Sequence, residues 1–127
     1  MNIPETITVS CSIEVGFSKI NTDQLYLKRI LTNLISNAIQ AMPKGVKLDV
    51  TAIHKDKKAF ITVADTGEGI PDDVKEKIFK PLFTTKAKGQ GFGLAVVKKL
   101  TEALDGKVTV ESQIGKGTRF ILEFPMT

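Results

Sequence analysis

The sequence predicts an α+β fold, a two-layer α/β sandwich whose mixed, mostly antiparallel sheet carries helices on one face. Three observations point there. Segments with strand character come in neighbouring pairs, VKLDVTAIHK with KAFITVADT and KVTVES with TRFILEF. Two stretches, Leu25 to Met42 and about Phe92 to Leu104, carry the apolar period of helices. No repeat, low-complexity tract or shift in composition divides the chain, so residues 1–127 read as one domain. With 127 residues, 42% hydrophobic and 25% charged, the chain can bury a core of its own.

Taken in order, ETITVSCSI and GFSKI read as two short opening strands. Asn21-Thr22-Asp23 supplies a helix cap, and Pro43-Lys44-Gly45 stops the helix that follows. Within that helix Leu27, Ile30, Leu31, Leu34, Ala38 and Ala41 fall on one side. The strands VKLDVTAIHK and KAFITVADT turn around Lys55-Asp56-Lys57. DTGEGIP is a glycine-rich turn, DDVKEKIF a short helix, and Lys80 to Gly91 an irregular stretch with the composition of a loop. Asp105-Gly106 ends the second long helix, and QIGKG joins the last two strands as a hairpin.

Composition narrows the chemistry. No apolar run approaches the ~20 residues of a membrane span, and no signal-peptide pattern opens the chain. One cysteine, Cys11, cannot make an internal disulfide, which fits a reducing, cytoplasmic setting; in its strand it is expected to be a packed thiol. One Cys and one His cannot assemble a thiolate or imidazole metal centre. The net charge of +4 and a pI near 9.2 suit either an anionic partner or a lysine-rich solvated surface. Lys80, Lys86 and Lys88 sit beside the glycine cluster, while one Tyr and no Trp leave little for base stacking along a strand; a nucleotide is favoured over nucleic acid.

Three stretches carry candidate chemistry. In NLISNAIQAM, Asn33 and Asn37 stack at the edge of the apolar stripe, where asparagine is a mediocre helix former. An amide oxygen there can ligate a hard cation such as Mg²⁺, or both amides can hydrogen-bond neighbouring loops. In DTGEGI, Gly67 and Gly69 accept positive φ and allow a tight turn, and the Asp65 carboxylate is suited to a purine amino group. In GQGFGL, three alternate glycines precede a helix, an arrangement that faces backbone N–H groups toward an anion or makes a plain loop. It is neither a P-loop nor a dinucleotide fingerprint.

The order of these stretches is more specific than any one of them. N-x-x-x-N-A, D-x-G-x-G-I, IFKPLFTTK, G-x-G-x-G-L and G-x-G-T-x-F resemble, from about Pro4 to Pro125, the ATP-binding catalytic domain of sensor histidine kinases, the Bergerat fold. NAIQAMPKG and FTTKAKGQGFGL look most like the nitrogen-regulatory type. The resemblance implies ATP and Mg²⁺ as ligands. It implies that Asn37 coordinates the metal, that Asn33 contacts the phosphate side, and that Asp65 accepts the adenine amino group. Gly67, Gly69 and Ile70 would shape the base pocket, with Thr118 supporting the base through water. Gly89, Gly91, Phe92, Gly93 and Leu94 would form the phosphate-covering lid and its helix, with Lys86 as a cation and Phe79 and Phe83 as anchors. Gln40 and Met42 depart from the basic and aromatic residues of many relatives, and Phe92 stands where leucine is usual.

Asn33 also bears on mechanism. Hydrolysing cousins of this fold place a glutamate there to activate water, and asparagine is no base. Phosphoryl transfer to a presented side chain is therefore expected over rapid hydrolysis, with Asn33, Asn37 and Lys86 as the catalytic set. The resemblance implies a histidine on a separate dimerisation domain as acceptor and, indirectly, a response regulator. His54, in TAIHKDKK, lies outside the context of a phosphoacceptor. The chain is expected to be the catalytic domain of a longer kinase, monomeric by itself, whose parent is free to be membrane-anchored. A serine kinase of the anti-sigma-factor type and a nucleotide-binding module without turnover are the alternatives.

Overall fold

The computed structural model describes residues 7–13, 24–42, 46–80 and 93–125. Its elements are β1 (Ile7–Ile13), α1 (Gln24–Gln40), β2 (Val46–Lys55), β3 (Lys58–Asp65), α2 (Asp72–Lys75), α3 (Gly93–Ala103), β4 (Lys107–Gln113) and β5 (Gly117–Pro125). They form a 5-stranded sheet of order β1-β2-β3-β5-β4. Only β1 and β2 are parallel, with α1 as the connection between them; the other three pairings are antiparallel. The expected mixed sheet is thus present.

Register explains where the core sits. Ala52, Ile61, Leu122 and Val108 stand opposite one another across β2, β3, β5 and β4, and Val50, Val63, Phe120 and Val110 make the next rung. Partners in a ladder point to the same face, so these rungs form one apolar surface. α1 lays Ile30, Leu34 and Ala38 on it, all almost completely buried. α3 adds Ala95 and Val97, and packs on α1 and over β4. Leu27, Leu31, Ile35 and Ile39 are partly buried around that contact, a broader stripe than the expected one. The next rung is different: Leu48, Asp65, Thr118 and Ser112 line up across the same four strands. Here the helix-facing surface turns from apolar to polar.

Several expectations need correcting. DDVKEKIF is helical only over Asp72–Lys75 and continues as turns through Phe79. Ile78 is buried, and the Phe79 ring stands edge-on to Phe120 at 6.2 Å between centroids. One turn of helix is worth less than burying those side chains. Cys11 is exposed rather than packed. It lies on the edge strand β1, while the helices pack chiefly over β3 and β4. The β2–β3 hairpin turns at Asp56 and Lys57, both with positive φ, as a two-residue loop of the twist-matching kind requires. GFSKI, the cap at 21–23 and the stop at 43–45 lie outside the described residues, as does the loop from 81 to 92. Among the described residues no helix is long and apolar enough to cross a membrane.

Candidate functional site

The polar rung lies at one end of the sheet, where β3 and β4 finish and β5 begins. Asp65 is the last residue of β3 and is 7% exposed. It is placed there by the alternation that buries Ala59, Ile61 and Val63 on the same side. A buried carboxylate needs hydrogen-bond partners. One is local: the Gly67 N–H donates to Asp65 Oδ1 at 2.8 Å. Thr118, opposite Asp65 in the ladder, is 5% exposed.

The turn from Thr66 to Ile70 is clamped on three sides. Toward α1, the Glu68 N–H donates to the Ala41 carbonyl at 3.3 Å. Toward β2, the Thr66 N–H donates to Lys47 O at 3.2 Å, and the Lys47 N–H donates back to Thr66 Oγ1 at 3.1 Å. Toward the β4–β5 hairpin, the Gly115 N–H donates to Glu68 O at 2.8 Å and the Ile70 N–H to Ser112 Oγ at 2.7 Å. The expected reason for both glycines holds for one. Gly69 has φ of +80°, whereas Gly67 is outside the positive-φ set and is required because a Cβ would drive into the Ala41 carbonyl. Ile70 is half-buried against the core.

α1 carries the two asparagines past this turn. Asn33 and Asn37 are both half-buried, one helical turn or about 6 Å apart. The Asn33 Nδ2 donates to the carbonyl of Gly93 at 3.3 Å. Gly93 opens α3 and Leu94 packs against the core, so Asn33 ties α1 to the start of the helix that follows the glycine cluster. This bond uses the amide nitrogen of Asn33 and does not involve the oxygen that a cation would take. The structure therefore brings Asn33, Asn37, Asp65, Gly67, Gly69, Ile70, Gly93, Leu94 and Thr118 to the same end of the molecule. Lys86, Gly89, Gly91 and Phe92, together with Phe83, lie outside the described residues. His54 is at the opposite end of β2 and β3, paired with Ala59, roughly 20 Å along the strands from Asp65.

Sequence reasoning missed Ser112. It is 9% exposed at the end of β4, and its Oγ donates to Gly117 O at 2.9 Å and lies 2.8 Å from Thr118 Oγ1. The available signal was its parity: in KVTVES it shares the inward face with Val108 and Val110. Lys75 was missed as well. Its Nζ donates to Ser112 O at 3.0 Å and pairs with Asp72 at 2.7 Å. That hydrogen bond and charge hold the Asp72 carboxyl below its ordinary range. Among the described residues no group of three or more His, Cys, Asp or Glu side chains could hold a metal ion by itself. A cation here would take neutral oxygens such as the Asn37 amide and bring its anionic ligands with it.

Comparison with known proteins agrees with this fold. A family profile described as histidine kinase-, DNA gyrase B-, and HSP90-like ATPase matches residues 22–127. Sporulation kinase A of Bacillus subtilis (strain 168) is 40% identical over 119 residues, covering 94% of this chain and 20% of that protein. Sensor histidine kinase ZraS of Escherichia coli (strain K12) is 44% identical over 108 residues, covering 85% of this chain and 23% of its own length. The chain thus spans about a fifth to a quarter of these relatives. The catalytic domain of histidine kinase ThkA, solved nucleotide-free, superposes with a TM-score of 0.86 at 34% identity, over 96% of this chain and 80% of that one. Full-length ShkA in complex with AMPPNP gives 0.85 at 31% identity, over 95% of this chain and 26% of its own.

Proposed function

From the premise that the chain belongs to the histidine kinase-, DNA gyrase B- and HSP90-like ATPases, as a histidine kinase catalytic domain, we propose that it binds Mg²⁺-ATP and passes the γ-phosphoryl group to a histidine on a separate dimerisation domain. The observation that carries the reading is the polar rung. A carboxylate at 7% exposure, oriented by the Gly67 amide and set opposite Thr118 at the end of the sheet, presents acceptor oxygens suited to a donor such as the adenine amino group.

The remaining roles follow from position. Gly67, Gly69 and Ile70 bring the turn backbone close to the base plane. Asn37 offers its amide oxygen to Mg²⁺, which when bound supplies charge neutralisation at the phosphates. Gly93 and Leu94 open α3 where the phosphates would lie, and Gly89, Gly91, Phe92 and Lys86 would cover them. Asn33, committed to the Gly93 carbonyl and without a basic group, positions that edge of the site rather than activating water. The acceptor histidine comes from elsewhere, since His54 is at the far end of the sheet. The phosphohistidine would then serve a response regulator.

Calorimetry tests the site. Asp65→Ala and Asn37→Ala are expected to remove most Mg²⁺-ATP binding, and normal affinity in both variants would sink the assignment. Labelled ATP with a dimerisation-domain fragment tests the transfer. An acid-labile, base-stable product is expected of phosphohistidine. The converse stability would mean a serine kinase, and absence of product from a domain that binds ATP would mean a binding module.

A further inference from the structure

A serine hydroxyl has one hydrogen and two lone pairs. Ser112 Oγ has three neighbours at hydrogen-bond distance: the Ile70 N–H at 2.7 Å, the Gly117 carbonyl at 2.9 Å and Thr118 Oγ1 at 2.8 Å. An N–H can only donate, so Ile70 takes one lone pair. A carbonyl can only accept, so Gly117 takes the hydrogen. One lone pair is left, and the Thr118 hydroxyl can meet it only by donating its own hydrogen. This is the assignment that satisfies all three contacts at once, and satisfaction is required where both hydroxyls are buried.

The consequence reaches the ligand. A free threonine hydroxyl is indifferent: it rotates to donate to a carbonyl or to accept from an amine. With its hydrogen committed to Ser112, Thr118 Oγ1 has only lone pairs to offer. Asp65, its partner across the ladder, is acceptor-only when ionised. Ser112 is itself immobilised, because Lys75 Nζ, braced by Asp72, holds its main-chain carbonyl at 3.0 Å. We propose that Ser112 is a specificity-determining positioning residue: by fixing the Thr118 hydroxyl as an acceptor, it makes this rung select a purine with a 6-amino group and reject one with a 6-carbonyl oxygen. The inference rests on the proposed reading of Asp65 as the base's acceptor, and takes the Thr118 hydroxyl to meet the same amino group directly, without the intervening water that the resemblance implies. A site built of acceptors discriminates through mismatch, since a 6-oxo base would set oxygen against oxygen.

The experiment compares Mg²⁺-ATP with Mg²⁺-ITP, whose hypoxanthine carries the 6-oxygen, by calorimetry on the full chain. Ser112→Ala frees the Thr118 hydroxyl to donate, and the preference for ATP over ITP is expected to fall about fivefold. Ser112→Cys, with a poorly accepting thiol of similar volume, is expected to do the same and serves if the alanine variant fails to fold. In a Thr118→Val background, which lowers the preference by itself, neither Ser112 substitution changes it further. If Ser112→Ala and Ser112→Cys weaken both nucleotides equally while Thr118→Val alters the preference, Ser112 merely anchors the turn and the proposal is overturned. If Thr118→Val leaves the preference unchanged, or the unmodified chain binds neither nucleotide, the base-pair reading itself falls and takes the proposal with it.

Discussion

Gly115 and Gly117 sit two residues apart in the β4–β5 hairpin, both at positive φ, +81° and +105°. Alanine at each should nonetheless behave very differently. Around Gly115 there is nothing within 4 Å of an added Cβ, so Gly115→Ala costs only the conformational penalty. That is about 1 kcal/mol, partly offset by the stiffer unfolded chain. A Cβ on Gly117 would drive into the Asp65 carbonyl oxygen and lie 2.9 Å from both Asp65 C and Thr66 Cα. Carbon atoms want roughly 3.5–4.0 Å. β3 and β5 would therefore have to part by about 1 Å, enough to break ladder hydrogen bonds beside Asp65. Strain of that kind, with the φ penalty, comes to about 3 kcal/mol. For a domain of this size the melting temperature should drop by roughly 10 °C, against at most a few degrees for Gly115→Ala. Urea denaturation and thermal melting measure the difference, and nucleotide titration should show affinity falling only in Gly117→Ala. Equal losses in the two variants, or Gly117→Ala within about 1 kcal/mol of the parent, would refute the argument that backbone proximity at Asp65 demands this glycine.

Three further outcomes are expected. Intrinsic ATP hydrolysis, followed by phosphate release, should run far below ~10 per second, because Asn33, which the resemblance sets in the position of the glutamate of hydrolysing cousins, is no base; turnover at that rate would contradict the role proposed for Asn33. Asn33→Asp replaces a donor with an acceptor facing the Gly93 carbonyl and should cost about 1–2 kcal/mol by urea denaturation, more than Asn33→Ala; the reverse order would mean the contact is not held in solution. Asp72 has its carboxyl pKa lowered by the Lys75 hydrogen bond and charge, so its contribution to stability is complete above the ordinary value of 3.8 and is lost as pH falls through the lowered one. Asp72→Asn removes that contribution, so its melting temperature should lie below the parent's by the same small margin from pH 7 to 5, and the two should converge only in strong acid; a margin that changes between pH 7 and 5 would count against this sign.

Much of the molecule was legible before any coordinates. Strand and helix identity followed from periodicity, since alternation in KAFITVAD and the three-four spacing in QLYLKRILTNLISNAIQ each permit one regular structure with an apolar face. Asp65 was legible as the carboxylate that opens a glycine-rich turn; its burial on the inward side of β3 is what the ladder adds. The glycines were legible as turn residues, but the cause was only half right, because Gly67 answers to a neighbouring carbonyl and not to its own φ. What the sequence could not decide were matters of which segments meet. DDVKEKIF has the composition of a helix, and it unwinds because Phe79 finds Phe120. Cys11 has the company of a core residue, and it is exposed because its strand is the edge. That the Asn33 amide nitrogen meets the Gly93 carbonyl depends on where the start of α3 packs. In the chain Ser112 shows only an inward parity and Gly117 only a place in a glycine motif, and both meet their partners only in the fold. They act on Thr118 and Asp65 across strand ladders, and a one-dimensional pattern records a residue's own preferences, not the partner that non-local pairing sets against it.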